Sequence, residues 1–343
     1  MSQTSRNRTV TAQDVAERAG VSRAAVSRTF SNNGSVSETT RLKVLKAADE
    51  LGYQVNILAQ SLNRQRSTLI GVVVTRMSDP FRGALLEKLL HEIQQAGFQA
   101  LVTEVNTADE LEPTLRRFTQ FRVSGVIVTS GQPPSALVAE CVRLQIPVVA
   151  INRESALANV DIVKSDNRAG AAMAAQQLLA AGCRRLGWVN VDNSTWSGIA
   201  RAEGFQQALA ESIEAGSASL STLIASDVGY EGGRHAATEL LRSGERIDGV
   251  FCANALLACG FLDGMREGGL DAPADFQLIG FDDTPQTGYY SYRLSTVRQD
   301  VDEIARRALS CLKARTQEPD RPQRVESVSV ALVLRNTSPN TKI

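Results

Sequence analysis

Apolar positions along the chain follow two rhythms. Between Val10 and Tyr53 they recur three or four residues apart, as on amphipathic helices. From Leu69 onward, short runs of Val, Ile and Leu alternate with longer helical stretches. In the first region the spacing predicts three helices. Thr11 is placed to N-cap a helix over about 12–18, with Asp14 in its first turn and Val10 and Val15 positioned as a hydrophobic staple. Ala19-Gly20 ends it. Ser22 opens a short second helix over about 23–30, and Ser37 a third over about 38–51, closed by Gly52. Leu42, Leu45, Ala48 and Leu51 are the expected buried stripe of the third. Asn56 can cap one further turn, Ile57–Leu62, which is too short to be stable alone and suits a segment that folds on binding. Residues 63–67 read as a linker.

In the second region the apolar runs read as strands at Ile70–Val74, Ala100–Thr103, Val126–Thr129, Val148–Ile151, Leu186–Asn190, Thr222–Ala225, Gly249–Cys252, Leu278–Phe281 and Val328–Leu334. Helical stretches separate most of them, which indicates parallel sheets covered by helices on both faces. So many strands would overload one sheet. Two α/β subdomains are expected, with crossovers near Asp161–Asp166, Tyr292–Gln299 and Arg324. The resulting division is a headpiece over 1–55, a hinge and linker over 56–67, and a core over 68–343. Within the core, the first subdomain covers about 68–164 and 297–326, the second about 165–296 and 327–340. Ligands of open α/β sheets bind beyond the carboxyl ends of the strands, so two facing sets of strand ends make a cleft.

Charge changes the picture of the first region. The whole chain balances 37 Lys+Arg against 37 Asp+Glu. Residues 1–66, however, hold ten basic and five acidic residues, and the remainder carries the opposite surplus. Such asymmetry marks a nucleic-acid module joined to something else. Two helices across a tight Gly-containing turn make a helix-turn-helix candidate. On the second helix, Val26 and Phe30 can pack inward with Val21. Arg23, Ala24, Ser27 and Arg28 share another side, offering two guanidinium groups, a hydroxyl and a methyl to base edges. A solvated amphipathic helix is the plainer alternative for this face.

Catalytic and metal chemistry find little support. The five cysteines, Cys141, Cys183, Cys252, Cys259 and Cys311, include no Cys-x-x-Cys pair and are expected to be reduced, mostly as small core residues. His91 and His235 stand too far apart for a zinc site. There is no phosphate-cradling Gly-Lys-Ser/Thr loop, no Gly-x-Ser-x-Gly and no dinucleotide fingerprint; Gly232-Gly233 lacks the third glycine. No enzyme activity, metal or cofactor is expected. No apolar run approaches the ~18 residues of a membrane span, and the first eight residues lack an apolar signal segment, so a cytoplasmic protein without a membrane partner is expected.

The run Asp14-Val-Ala-Glu-Arg-Ala-Gly-Val-Ser-Arg-Ala-Ala-Val-Ser-Arg28, followed by Val36-Ser37, Thr40-Arg41, Leu51-Gly-Tyr53 and Asn56, closely resembles the headpiece of LacI/GalR-type transcription regulators. The resemblance implies a ligand-responsive repressor that binds a pseudo-palindromic double-stranded operator as a homodimer, reading the major groove with its headpieces. It also implies a hinge helix in the minor groove, with Leu62 as the leucine that wedges into the central base step. Carried over position by position, the DNA contacts are Thr11, Ser22, Arg23, Ala24, Ser27, Arg28, Ser37, Thr40, Tyr53, Asn56, Ala59, Gln60 and Leu62. Three departures are visible: Ala25 where threonine is common, Ser31 where asparagine is common, and Val55 in place of the proline before Asn56. No leucine heptads follow Arg335, which argues against a zipper-made tetramer.

The core is similar to periplasmic sugar-binding proteins through Asp79-Pro-Phe81, Ile151-Asn-Arg153, Asp166-Asn-Arg-Ala-Gly170, Arg201-Ala-Glu-Gly-Phe205, Gly280-Phe-Asp-Asp283 and Leu294-Ser-Thr-Val297. The implied effector contacts are Asp79, Phe81, Asn152, Arg153, Trp196, Arg201, Asn254 and Asp282. Their chemistry suits a small polyol: carboxylates and amides for hydroxyls, flat rings for the apolar face of a sugar. Plainer roles stay open. Phe81 can be core, Asp79 can N-cap a helix starting at Pro80, Arg153 and Arg201 can pair with carboxylates, and Asp282 or Asp283 can bind amides in its own turn. The usual Asn-Asp pair is Asn254-Ala255 here, and Val228 stands where relatives carry an aromatic, with Tyr230 as the possible substitute. The effector is thus expected to be a sugar or sugar derivative, a nucleobase or a sugar phosphate stays open, and Arg153 with Arg201 would tolerate an anion. The alternatives are a sugar-binding protein without operator binding and a sugar-active α/β enzyme.

Overall fold

The computed structural model describes residues 10–30, 35–54, 67–129, 141, 143–153, 158–192 and 195–339. The chain divides into two compact units, Met1–Ser67 and Thr68–Ile343.

The first unit holds three helices: α1 (Ala12–Ala19), α2 (Arg23–Thr29) and α3 (Glu38–Leu51). Each starts where a hydroxyl side chain takes over an orphan amide, Thr11, Ser22 and Ser37 accepting from Asp14, Ala25 and Thr40. Thr11 and Asp14 complete a reciprocal capping box. Gly20 and Gly52 close α1 and α3 in the left-handed conformation, which glycine adopts without steric cost. Val15, Ala16, Val26, Val44, Ala47 and Ala48 form the core, flanked by Phe30 and Tyr53, whose rings lie 5.7 Å apart. The buried stripe of α3 is therefore Val44-Ala47-Ala48 with Leu51 beside it. Leu42 and Leu45, expected inside, are 63% and 43% exposed. The sequence offers two apolar stripes about one residue out of phase, and the smaller side chains face the core, letting three short helices approach closely.

The second unit contains two six-stranded sheets. The first has β1 (Leu69–Val74), β2 (Gln99–Glu104), β3 (Gly125–Val128), β4 (Val148–Ile151), β5 (Val160–Ser165) and β11 (Val325–Val328), in the order β11-β5-β4-β3-β1-β2. The second has β6 (Arg185–Asn190), β7 (Ser219–Ile224), β8 (Gly249–Cys252), β9 (Gln277–Asp282), β10 (Ser295–Gln299) and β12 (Val330–Val333), in the order β12-β10-β9-β8-β6-β7. All pairings are parallel except β10 with β12. Helices α4 (Pro80–Gln95), α5 (Ala108–Gln120), α6 (Asn167–Ala180), α7 (Trp196–Glu214), α8 (Tyr230–Ser243), α9 (Ala255–Glu267) and α10 (Val301–Gln317) lie between the strands in sequence.

Three expectations about the crossovers are corrected. Asp161–Asp166 is mostly strand β5, not connector, and Tyr292–Gln299 contains β10. The single strand expected at Val328–Leu334 is two, one per sheet, with the chain changing sheets at Ser329. The expected boundaries at 297 and 327 cut through β10 and β11. Because β10 is bonded to β9 and β12, the second sheet keeps it to Gln299, and the first subdomain resumes with α10 and keeps β11 to Val328. These strands escaped notice because they carry polar residues, such as Asp161, Lys164, Arg298 and Glu326, within short apolar runs.

Gly232 and Gly233, weighed above against the dinucleotide fingerprint, lie inside α8, where Gly232 packs on the Asp227 backbone of the preceding loop and Gly233 on α9. A Cβ on Gly233 would stand 2.1 Å from the Leu257 carbonyl oxygen, and one on Gly260 of α9 1.9 Å from that of Tyr230. Gly260→Ala is accordingly expected to destabilise the unit by about 1–3 kcal/mol through overpacking. Gly83→Ala in α4 meets open space and is expected to stabilise it by roughly 0.5–1 kcal/mol. Urea midpoints of the two variants measure the contrast.

Candidate functional site

On α2 the burial pattern separates two faces. Ala25, Val26 and Thr29 are buried, while Ser22, Arg23, Ala24, Ser27 and Arg28 are exposed. Ala25, where a threonine contact would otherwise sit, points into the core. Of the other expected DNA contacts, Thr11 and Ser37 are exposed and occupied as N-caps, and Thr40 bonds the Ser37 hydroxyl at 2.9 Å. Tyr53 is half-buried with its ring against Phe30. Asn56, Ala59, Gln60 and Leu62, with Val55 and Ser31, lie outside the described residues.

In the second unit a cleft opens where strand ends of both sheets meet. In each sheet the order reverses beside the first strand, between β1 and β3 and between β6 and β8, and ligand crevices form at such switch points. The segments after β1 and β4 bring Asp79 and Phe81 at the start of α4, and Asn152 and Arg153; Trp196 and Arg201 come from the first turns of α7, Asn254 from the end of the β8 connection, and Asp282 from the last position of β9. All eight residues singled out in the sequence line this one cavity. The plainer roles are also filled. Asp79 N-caps α4 by accepting from the Phe81 amide at 3.0 Å, and Asn254 N-caps α9. Phe81 leans on the core of the first subdomain. Tyr230, the expected aromatic substitute, does not line the cavity; its hydroxyl donates to Asp263 at 2.8 Å.

Arg201 organises the floor. It is 6% exposed, donates from Nε to Asn167 Oδ1 at 2.8 Å and from Nη1 to the Ala253 carbonyl at 2.5 Å, and stacks 3.5 Å from the Phe281 ring centroid. Its Nη2 lies 3.3 Å from Asp282 Oδ1. Gln299 Nε2 donates to that same oxygen at 2.6 Å, while Gln299 Oε1 accepts from Ser165 and, at 3.4 Å, from Asn152. A polar chain therefore runs from Asn152 in the first subdomain to Arg201 in the second, across two crossovers. Burial pushes the Asp282 carboxyl above the usual carboxylate range, Arg201 opposing and Asp79 adding to the rise. Burial also lowers Arg201, against the pull of Asp282 and Asp79. Arg76, Asn152 and Asp282 all have positive φ, at 46°, 52° and 93°, a conformation non-glycine residues adopt at a cost and which gathers at ligand sites.

Sequence reasoning missed Arg76, Arg82 and Gln299. Arg76 and Arg82 were findable, since they flank Asp79 just beyond the end of β1. Gln299 was hidden because β10 itself was read as a connector. Among the described residues no cluster of His, Cys, Asp or Glu is arranged to hold a metal ion, the five cysteines are buried, and no described helix is long and apolar enough to cross a membrane.

Comparison with known proteins fits both units. A model of bacterial regulatory proteins of the lacI family matches residues 11–56, and one of periplasmic binding protein-like domains matches 175–338. The HTH-type transcriptional regulator GalR of Escherichia coli K12 is 31% identical over 95% of each chain. The ribose operon repressor of Halalkalibacterium halodurans is 30% identical, covering 96% of this chain and 97% of its own. The crystal structure of the lac repressor dimer bound to operator and the anti-inducer ONPF superposes with a TM-score of 0.88 at 25% identity, over 97% of this chain and all of that one. A regulator from Enterococcus faecium with bound ribose gives 0.71 at 25% identity, over 80% of this chain and all of its own.

Proposed function

The chain belongs to the LacI family of DNA-binding transcription regulators, and from that premise we propose that it is a sugar-responsive repressor acting on a pseudo-palindromic operator as a homodimer in the cytoplasm. The observation that carries the reading is the split surface of α2. Arg23, Ala24, Ser27 and Arg28 stand exposed together while the residues between them are buried. This is the presentation a recognition helix needs to reach base edges with its N-terminal half. The solved lac repressor supports the dimer and the operator, and the ribose complex supports a sugar in the cleft. Asn56, Ala59, Gln60 and Leu62, which lie outside the described residues, complete the proposed set of DNA contacts.

The cleft supplies the control. A ligand shifts the protein only through different affinity for two arrangements, and the Asn152–Gln299–Asp282–Arg201 chain gives it something to reorganise, because it joins both subdomains. A sugar hydroxyl seated against Asp282 or Arg201 competes with Gln299 and so changes how the sheets are held at the crossovers.

A gel shift on the DNA upstream of the protein's own gene tests this. Arg23→Ala is expected to weaken binding by about 1–3 kcal/mol with relaxed base preference, and Leu62→Ala to weaken it with less bending of the duplex. Affinity is expected to fall steeply with salt as phosphate contacts release counterions. A shift insensitive to Arg23, Leu62 and salt alike would overturn the repressor reading.

A further inference from the structure

The charges in the cleft do not balance. Among the described residues its lining holds four arginines, Arg76, Arg82, Arg153 and Arg201, against two carboxylates, Asp79 and Asp282. Two ion pairs form: Arg82 with Asp79 and Arg201 with Asp282, each at 3.3 Å. Arg76 and Arg153 have no carboxylate partner among the described residues. Both are only partly exposed, and guanidinium groups do not escape repulsion by losing a proton. Burial pushes Arg82 and Arg153 down. Arg76 adds to the effect on both, and Arg82 to that on Arg153, so the three lie within reach of one another's field. Partly buried like charges are costly unless something opposite joins them.

The surrounding backbone has the same sign. Helices α4, α7 and α9 all begin at this cleft, with their N-caps Asp79, Thr195 and Asn254 in its lining. Each helix start adds partial positive charge toward the cavity. A neutral polyol would leave this field uncompensated, and a single carboxylate would offset half of the two-charge surplus. A phosphate monoester carries about −1.5 to −2 charges at pH 7 and accepts paired bonds from guanidinium groups.

We infer that the natural effector is a phosphorylated sugar, its phosphate held by Arg76, Arg82 and Arg153 and its hydroxyls by the Arg201–Asp282 floor. The inference rests on the cleft being the effector site. Trp196, with Lys164 Nζ 5.0 Å from its ring centroid, borders the sugar end and adds a cation near its rim.

The test uses the full chain in thermal shift and calorimetric titration. Inorganic phosphate is compared with chloride at matched ionic strength. Hexose and pentose monophosphates are compared with their neutral parents and with the corresponding sugar acids. Phosphate is expected to stabilise the protein where chloride does not, and one or more sugar phosphates to bind at least about 100-fold tighter than the neutral parent. Arg76→Gln and Arg153→Gln are each expected to weaken that binding about tenfold, and Arg76→Lys to weaken it less than Arg76→Gln. These magnitudes follow from losing one charge-assisted contact each. An equal phosphate response in the Arg76→Gln/Arg153→Gln double variant overturns the inference. So does the absence of any phosphate response in the unaltered protein, or tighter binding of a neutral or carboxylated sugar. Gel shifts on the same preparations separate this from the wider reading: intact operator binding with a neutral effector sinks the phosphate alone, whereas loss of operator binding sinks the repressor.

Discussion

Asp161→Ala is expected to destabilise the second unit by about 3–5 kcal/mol, a large fraction of a domain's total stability. Asp161 is fully buried on β5. Its carboxylate takes Nη2 of Arg315 at 2.6 Å and Nε at 3.1 Å, pairs with Arg321, and accepts the Arg324 amide at 2.9 Å. Arg315 is itself only 3% exposed, and its remaining protons go to the carbonyls of Pro319, Arg321 and Pro322. The cluster thus fastens the end of α10 and the entry to β11 onto the first sheet, where the chain has returned from the second subdomain. Removing the carboxylate strands a buried guanidinium with no counter-charge, and that uncompensated charge sets the size of the loss. Asp161→Leu combined with Arg315→Met removes the two most deeply buried charges, leaves only the partly exposed Arg321 without its carboxylate, and is expected to recover part of the stability, since a buried pair is often replaceable by apolar residues. Urea unfolding of the three proteins checks this. Equal losses in the single and double variants would show that the hydrogen-bonded loop, not the stranded charge, dominates.

What could be read from sequence divides along the same physical lines. Capping signals at Thr11, Ser22 and Ser37 are local, as are glycine stops, so the headpiece helices were legible almost to the residue. The phase of α3 was not. Whether Val44 or Leu45 faces inward is decided by how closely three helices approach, which no single helix records. The strand ends were legible as positions, and all eight cleft residues taken from them meet in one cavity. Their partners were less so. Gln299 joins the site through β10, Ser295–Gln299, in which Val297 is the one apolar residue. Arg76 and Arg82 can be picked out beside Asp79, but that Arg153 joins them in one cavity shows only in the structure. Charge balance is a property of a cavity and not of a chain. The sequence sums to zero, yet the described lining of the cleft has a surplus of two positive charges inside the unit whose total is negative.

Arg201→Met is expected to cut effector affinity by about 2–5 kcal/mol, roughly 30-fold to several thousand-fold, because it removes one member of a buried, hydrogen-bonded charge pair. The Phe281 stacking surface remains, and a methionine fills much of the volume. The loss therefore falls on polar recognition and on Asp282, left buried with Gln299 as its remaining partner. This has a pH signature of definite sign. Burial raises the Asp282 carboxyl, so the folded state holds that proton more firmly than the unfolded chain does. Its contribution to stability is greatest at low pH and is lost as pH rises from the ordinary carboxylate range through the raised value. Arg201 is the main influence lowering that value. Without it the raised value climbs, and stability keeps declining to higher pH than in the unaltered protein. Thermal unfolding between about pH 5 and pH 8 should show the widened decline, and Arg201→Met/Asp282→Asn should abolish it. Operator binding gives the second readout. The headpiece is untouched, so Arg201→Met should still bind DNA while its affinity no longer responds to effector, as linkage requires when differential ligand binding is removed. A variant that titrates like the unaltered protein and still responds to effector would remove Arg201 from the centre of the site.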